Sequence, residues 1–310
     1  MDTKNVLRLG ALLLVFVTCS FPASAQKIRP IRPVSPPVSS IDGRIREELS
    51  AFQGNVWIYA KNLDTGKEYA LRADEQTRTA STIKLAIMAE AFHQVAQGKL
   101  KWADEIVLTK EKKQGGSGVL FEFSDGIKID LRTAVNLMIV VSDNTATNLV
   151  LDKVGTDNVN DLMDAIGLTN IKSMRKIGGG GDAKIWANDP QNRLFGLGRS
   201  SPRDMVKLVE MMERGTLISK EASAEMIAIM KRQQFKDGIG RGVPDTVPVA
   251  SKSGALDRFR ADVGIIYTRR GRIAMAIYID DMRVVAYDQE NPGLAMIWKL
   301  SQILQDGLGR

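Results

Sequence analysis

Apolar residues recur at helical spacing along much of the chain. Ile41, Ile45 and Leu49 are four residues apart, so a helix would place them on one face. Another helix is expected to begin at Pro202, since proline is favoured at the first helical position. The pattern predicts helices at residues 41–52, 82–97, 131–141, 145–154, 202–214, 221–233 and 294–308.

Runs with the character of β-strands lie at both ends of this helical block. Turn sequences separate them, Asp64-Thr65-Gly66 in the first half and Arg269-Arg270-Gly271 in the second. Because strands at both ends can pair, the pattern predicts an α+β fold with one antiparallel sheet and flanking terminal helices. We expect the sheet part at residues 41–75 and 245–310 and an inserted all-helical lobe at 76–244. The strands are predicted at 55–60, 68–71, 247–252, 261–267 and 272–280.

The composition is that of a globular protein and excludes several kinds of chemistry. The chain has 310 residues, 44% of them hydrophobic and 25% charged. It contains one cysteine, Cys19, and one histidine, His93, so zinc fingers, disulfide frameworks and histidine-rich metal sites are excluded. The net charge of +7 is spread along the sequence, which argues against nucleic acid as a partner.

The N-terminus reads as an export signal. An apolar run at residues 9–17 precedes Ala23-Ser24-Ala25, which suits cleavage, so residues 1–25 are predicted to be a signal peptide. An uncleaved anchor and a lipidated Cys19 are the alternatives. Residues 26–40 are rich in proline and read as a linker to a domain at 41–310. We therefore expect a secreted or periplasmic bacterial protein, monomeric and without a membrane span after cleavage.

The first chemical motif is Ser81-Thr82-Ile83-Lys84, at the start of a predicted helix. Positions three apart share a helix face, so the Lys84 amine could reach the Ser81 hydroxyl and act as its base. By itself the motif is also explained by a helix cap followed by a surface lysine. His93 is twelve residues further along the same helix, roughly 18 Å away, and cannot be that base.

Two further motifs follow in order. Residues 142–144, Ser-Asp-Asn, lie between two predicted helices, and residues 252–255, Lys-Ser-Gly-Ala, end a predicted strand. Taken alone, residues 142–144 are explained equally well as a polar junction between helices, and residues 252–255 as an exposed strand end. All three motifs, in this order and at these separations, make a much stronger signal.

With its three motifs, the sequence resembles the penicillin-recognising serine hydrolases, specifically the class A β-lactamase group. The resemblance covers residues 41–308 and includes the extended stretch 142–149 and the segment 201–205, Ser-Pro-Arg-Asp-Met. It implies a five-stranded antiparallel sheet beside a helical lobe, and no metal or organic cofactor.

The resemblance also implies roles for the catalytic residues. Ser81 would be the acylated nucleophile, Lys84 its base partner, and Ser142 a proton shuttle. The backbone N–H groups of Ser81 and Ala255 would form the oxyanion hole.

Substrate binding would fall to other residues of the same motifs. Asn144 would hold a substrate amide, and Lys252 and Ser253 would bind its carboxylate. Gly254 would let the strand approach the ligand closely. Arg258 or Arg260 would add a cation, and the sequence does not choose between them.

One departure concerns hydrolysis of the acyl-enzyme. Class A β-lactamases carry a glutamate before the segment matched by residues 201–205, yet no glutamate occurs here from residue 123 to 209. The corresponding loop at 178–199 has only Asp182 and Asp189 as carboxylates, and Asp189 has the sequence context of a turn. This loss, and Gly-Gly-Ser-Gly-Val-Leu at 115–120, resemble a penicillin-binding branch that acts on D-alanyl peptides.

The sequence thus predicts an exported serine hydrolase, acylated at Ser81 by β-lactams or D-alanyl peptides. Slow β-lactam hydrolysis and D,D-peptidase activity are expected. The alternatives are an efficient β-lactamase with another base, and a non-catalytic penicillin-binding sensor or decoy.

Overall fold

The computed structural model describes residues 40–309. The predicted signal peptide and all but the last residue of the predicted linker lie outside them. Among the described residues, none of the helices is both long enough and apolar enough to cross a bilayer. The helices are α1 Ile41–Leu49, α2 Lys84–Ala96, α3 Leu131–Val140, α4 Asn144–Val154, α5 Thr156–Ala165, α6 Lys184–Asn188, α7 Pro202–Glu213, α8 Lys220–Lys231 and α9 Pro292–Leu308. The strands are β1 Asn55–Asn62, β2 Glu68–Leu71, β3 Thr77–Arg78, β4 Glu105–Val107, β5 Lys128–Asp130, β6 Lys172–Ser173, β7 Gly198–Ser200, β8 Val249–Leu256, β9 Phe259–Thr268 and β10 Gly271–Asp280.

The main sheet is antiparallel and joins strands from both ends of the sequence, in the order β2-β1-β10-β9-β8. Ile58 of β1 is paired with Ile277 of β10, more than two hundred residues later. The predicted fold class and its five-stranded sheet are confirmed. Strand β8 lies at one edge, so one side of its backbone is free to face a ligand.

Both faces of the sheet are buried, and alternation along each strand divides its side chains between two cores. Trp57 and Tyr59 pack toward the helices of the lobe. Val56 and Ile58, on the opposite face, pack with residues of α1 and α9. The sheet is therefore a rigid middle layer between the terminal helices and the lobe.

The lobe was predicted to be all-helical, and this prediction is wrong. Within residues 76–244 it also contains a three-stranded sheet, β3-β7-β6, and the pair β4-β5. These strands are only two or three residues long, too short to show alternation in the sequence. Helix α5 was not predicted either.

The strand with the third motif also differs from its prediction. Polar and small residues after Lys252 suggested a strand end there, but β8 continues to Leu256. Pairing with β9 supplies the backbone hydrogen bonds that its residues need, from Val249↔Ile266 to Leu256↔Phe259. The third motif therefore lies inside an edge strand.

Candidate active site

Ser81 lies in a 3₁₀ turn, Ala80–Ile83, directly before α2. The preceding residue, Ala80, has a φ of 45°, in the left-handed region that side chains other than glycine rarely adopt. Strand β3 leads into the turn and is paired with β7, and Thr79 donates its N–H to the Gly198 carbonyl at 3.0 Å. These contacts hold Ser81 at the surface of a cleft.

Lys84 is fully buried at the first turn of α2. Its amine donates to the Ser142 carbonyl at 2.7 Å, the Ser142 hydroxyl at 3.2 Å and Asn144 Oδ1 at 3.1 Å. Burial, together with the nearby Lys252 cation, holds the Lys84 pKa well below its usual value, although Asp143 opposes this. The lowered pKa favours the neutral amine, the form that can accept a proton.

Ser142 lies between two lysines. Its Oγ is 3.2 Å from the Lys84 amine and 3.0 Å from the Lys252 amine. Its φ is 54°, so the backbone is strained at this position as it is at Ala80. The Ser142 hydroxyl is thus placed to pass a proton between these amines and a group in the cleft.

Asp143 organises the surroundings of Ser142. It is buried, and its carboxylate accepts the backbone N–H groups of Ala146, Val119 and Leu120 at 2.7–2.8 Å. A side chain on Gly118 would collide with Asp143, because an added Cβ would be 2.2 Å from its Oδ2. Asp143 therefore caps α4 and fixes the glycine-rich segment 115–120 against it.

Asn144 has both ends of its carboxamide held. Its Oδ1 accepts from Lys84, and its Nδ2 donates to the Gly115 carbonyl at 2.9 Å. The amide lines the cleft in a fixed orientation.

Lys252 is fully buried within β8. Its amine donates to the Ser142 hydroxyl and, at 2.8 Å, to the Ser253 carbonyl. Burial lowers the Lys252 pKa to about 7, while the buried Asp262 carboxylate on β9 opposes the shift. Asp262, whose own pKa burial raises to about 7, accepts the Ile239 N–H at 2.9 Å.

The free edge of β8 passes close to Ser81. A Cβ at Gly254 would be 2.9 Å from the Thr79 carbonyl and 3.3 Å from the Ser81 nitrogen, so glycine permits this approach. Tyr267 donates to the Pro248 carbonyl at 3.1 Å, so the even-numbered residues of β8 exchange hydrogen bonds with β9. The N–H of Ala255 consequently points away from β9, toward the free edge.

One cleft of about 850 Å³ brings the motifs together. Arg258 and Arg260 also line it. Arg260 is buried and donates to the Leu256 and Phe259 carbonyls, whereas Arg258 is half-exposed and pairs with Asp281 at 3.0 Å. The sequence-predicted residues on its surface are Ser81, Ser142, Asn144, Ser253, Gly254, Ala255, Arg258 and Arg260.

The carboxylates of the 178–199 loop do not reach this cleft. Asp189 is exposed and caps the 3₁₀ turn Pro190–Phe195, where its Oδ1 accepts the Gln191 N–H at 2.9 Å. Asp182 is exposed and accepts the Lys176 N–H. Residues from this side that line the cleft are apolar, Ile177 and Leu197.

Two positioning contacts were missed by sequence reasoning. The Asn148 carboxamide donates to the Ile177 carbonyl and accepts its N–H, both at 2.9 Å, and so holds Ile177 at the cleft. Asp262 was overlooked as well. A carboxylate inside the otherwise apolar run 261–267 was the signal that could have revealed it, since buried charges need partners.

The predicted contact between Ser81 and Lys84 is not among the hydrogen bonds of the described residues, where the Lys84 amine binds Ser142 and Asn144. Chemically, the arrangement has the Ser81 hydroxyl on the cleft, the Ser142 hydroxyl between two buried amines, and a backbone N–H at a strand edge. These parts suit attack on a carbonyl carbon and protonation of a leaving nitrogen.

Comparison with known proteins gives a family match over residues 40–308, to the Beta-lactamase enzyme family. The chain is similar to the crystal structure of a β-lactamase from Sphaerobacter thermophilus. That structure is 29% identical, has a TM-score of 0.76, and the alignment covers 87% of this chain and 97% of the other.

More distant structures support the fold. A class A β-lactamase from Mycobacterium abscessus is 18% identical with a TM-score of 0.76, over 87% of this chain and 100% of the other. The structure of PBP-A is 22% identical with a TM-score of 0.74, and the alignment covers 86% of this chain and 94% of the other. No curated protein matches the chain.

Because of the two lysines, we expect the pH dependence of the acylation rate to differ between substrates with and without a carboxylate. Acylation should rise with pH as Lys84 loses its proton, well below pH 10.5. Lys252 should lose its charge as the pH rises through about 7, which weakens binding of a carboxylate roughly ten- to a hundredfold. The rate of acylation by a cephalosporin, measured by stopped flow, should therefore fall at high pH. The rate of acylation by its methyl ester should only rise with pH.

The ester is the matched control for this measurement. If the acylation rates with both substrates fall alike at high pH, the loss does not come from the Lys252 charge acting on the carboxylate. The carboxylate-binding role of Lys252 would then be wrong.

Proposed function

Because the chain belongs to the beta-lactamase enzyme family, we propose that it is a serine hydrolase acylated at Ser81 by β-lactams or by D-alanyl peptides. The observation that carries the proposal is the Ser142 hydroxyl, 3.0 and 3.2 Å from two buried amines and on the same cleft as Ser81. Buried carboxylates lie near both lysines, but the hydrogen bonds of both amines converge on this hydroxyl.

The proposed acylation takes the following course. The neutral Lys84 amine takes the Ser81 proton as the serine oxygen attacks the substrate carbonyl carbon. The N–H groups of Ser81 and Ala255 stabilise the resulting oxyanion. When the C–N bond breaks, Ser142 gives its proton to the leaving nitrogen and regains one from Lys84, leaving an ester on Ser81.

The substrate's carboxylate would be held at the β8 edge. Ser253, which lines the cleft, would supply a hydroxyl, and Lys252, buried next to it on the same strand, would supply the charge. The fixed amide of Asn144 would bind the substrate's side-chain amide.

Hydrolysis of the ester needs a water molecule and a base near Ser81. The side chains that approach from residues 175–199 are Ile177 and Leu197, and neither can take a proton. A missing general base typically costs about 10²–10⁴-fold in rate. We therefore infer slow β-lactam turnover, with release or transfer of a D-alanyl peptide as the second activity to be tested. Export to the periplasm or exterior is part of the same proposal.

Acylation at Ser81 is tested by covalent labelling. Incubation with penicillin should add the mass of one penicillin per chain, and peptide mapping should place it on Ser81. Ser81→Ala should abolish the label, because the attacking oxygen is gone. Ser117→Ala, which removes another hydroxyl on the same cleft, is the matched control and should be labelled normally.

Persistent labelling of Ser81→Ala would reject this serine as the nucleophile. Labelling of neither the wild-type protein nor the control by any β-lactam would support the non-catalytic alternative.

Deacylation is tested at Ile177. Ile177 lines the cleft, whereas α6 and Asp189 lie outside its lining. Ile177→Glu should place a carboxylate on the cleft and speed release of the acyl group at least tenfold, with a smaller effect on acylation. Ile177→Gln is the matched control, similar in size and polarity but unable to act as base.

Single-turnover decay of the isolated acyl-enzyme measures the difference. Equal rates for the glutamate and glutamine variants would contradict the assignment of a missing base at this position. Fast decay in the wild-type protein would favour the alternative of an efficient β-lactamase with another base.

A further inference from the structure

Asp262 is a buried carboxylate next to the cleft, and the proposed acylation does not use it. It lies on β9 directly opposite Ser253, with 1% of its surface exposed. Because paired residues of antiparallel strands share a face of the sheet, its side chain lies on the same face as that of Ser253. A carboxylate is costly to bury, so the groups around it indicate what it does there.

One oxygen of Asp262 holds the chain that borders the cleft. Its Oδ2 accepts the Ile239 N–H at 2.9 Å, and the Ile239 carbonyl accepts from the Ser301 hydroxyl on α9, also at 2.9 Å. The Ile239 side chain is fully buried. Ile239 is therefore an anchor for the residues before it, 235–238, which we term the 235–238 border.

The 235–238 border lies along the cleft. Phe235, Asp237 and Gly238 line the cleft, and Phe235 is 43% exposed. The contact between the border and Asp262 is tight, because a Cβ on Gly238 would be 2.3 Å from Asp262 Oδ2. A larger residue at 238 would therefore displace either the border or the carboxylate.

The charge of Asp262 also acts on Lys252, the neighbour of Ser253 on β8. The Lys252 amine donates to Ser142 and to the Ser253 carbonyl, and no hydrogen bond joins it to Asp262 among the described residues. The two therefore interact through charge, and the carboxylate opposes the loss of the Lys252 proton that burial favours. Burial raises the Asp262 pKa to about 7, so the carboxylate becomes charged in the pH range where Lys252 loses its proton.

The other titratable groups near this pair do not supply that negative charge. Lys84 of α2 has the same sign as Lys252, and its pKa is lowered by burial and then by repulsion from Lys252. Asp143 acts on Lys84. Burial, with a smaller contribution from Asp262, raises the pKa of Tyr278 on β10, which therefore stays neutral. Asp262 is the group that favours a protonated Lys252.

We propose that Asp262 is a positioning residue with two effects: through Ile239 it fixes the 235–238 border, and through its charge it keeps Lys252 a cation for the substrate's carboxylate. The second effect rests on the proposed function, whereas the first does not. Removal of the charge should change the pH dependence with carboxylate substrates, and disruption of the contact should loosen the border.

Asp262→Asn and Gly238→Ala separate the two effects. The asparagine keeps an acceptor for the Ile239 N–H but has no charge. The alanine leaves the charge in place, but its Cβ forces the carboxylate and the border apart. Rates of acylation by a cephalosporin and by its methyl ester are measured at pH values on both sides of 7. Hydrogen–deuterium exchange is followed in a peptide covering residues 236–242.

Each variant should change one measurement. In Asp262→Asn, the fall in the rate with the cephalosporin should move to lower pH by about one unit, because Lys252 loses its proton more readily. The rate with the ester should still only rise with pH, and exchange should stay near the wild-type value. In Gly238→Ala, exchange should rise roughly tenfold, as expected when one hydrogen bond is lost, and the fall should stay at the wild-type pH.

Either of two results overturns the proposal. If the fall does not move in Asp262→Asn, the Lys252 charge does not depend on Asp262. If exchange is unchanged in Gly238→Ala, the contact does not fix the border. Should Asp262→Asn fail to fold, Asp262→Ser removes the same charge and must move the fall in the same direction. A wild-type protein that penicillin does not label rejects the proposed function and with it the charge effect, whereas the exchange measurement tests the border by itself.

Discussion

The site depends on two amines buried around one hydroxyl. Lys84 and Lys252 both donate to Ser142 Oγ, and neither has a carboxylate among its hydrogen-bond partners in the described part of the chain. Removing ammonium groups from water without a paired anion favours their neutral forms, which is why burial lowers both pKa values. The proposed role of Lys84 as a base depends on this effect of burial.

The architecture explains how this arrangement is kept. One lysine comes from the helix that begins the lobe and the other from an edge strand near the end of the chain, so the site exists only when the two parts are packed together. Asp143 fixes the serine between them by accepting three backbone N–H groups. Gly254 allows β8 to lie against the turn that carries Ser81. Strained backbone at Ala80 and Ser142 is held in place by this surrounding structure.

Much of this could be predicted from the sequence, because the motif residues are chemically distinctive and helical periodicity is strong. A single antiparallel sheet followed from strands at both ends of the chain, although the order of its strands did not. Other features depend on contacts that no local pattern encodes. Asp189 caps a turn, as its sequence context predicted, but Ile177 lines the cleft because Asn148 binds its backbone. Arg258 and Arg260 are close in the sequence, yet Arg260 is buried whereas Arg258 is half-exposed and pairs with Asp281.

The central claim of the proposal is that Ser81 is acylated readily and the ester is hydrolysed slowly, because no carboxylate from residues 175–199 lines the cleft. Pre-steady-state kinetics with a chromogenic cephalosporin test it most directly. The account predicts a burst of about one equivalent of product per chain, followed by turnover slower by about 10²–10⁴-fold. Fast linear turnover with no burst, and no acyl-enzyme detectable by mass during it, would contradict the account.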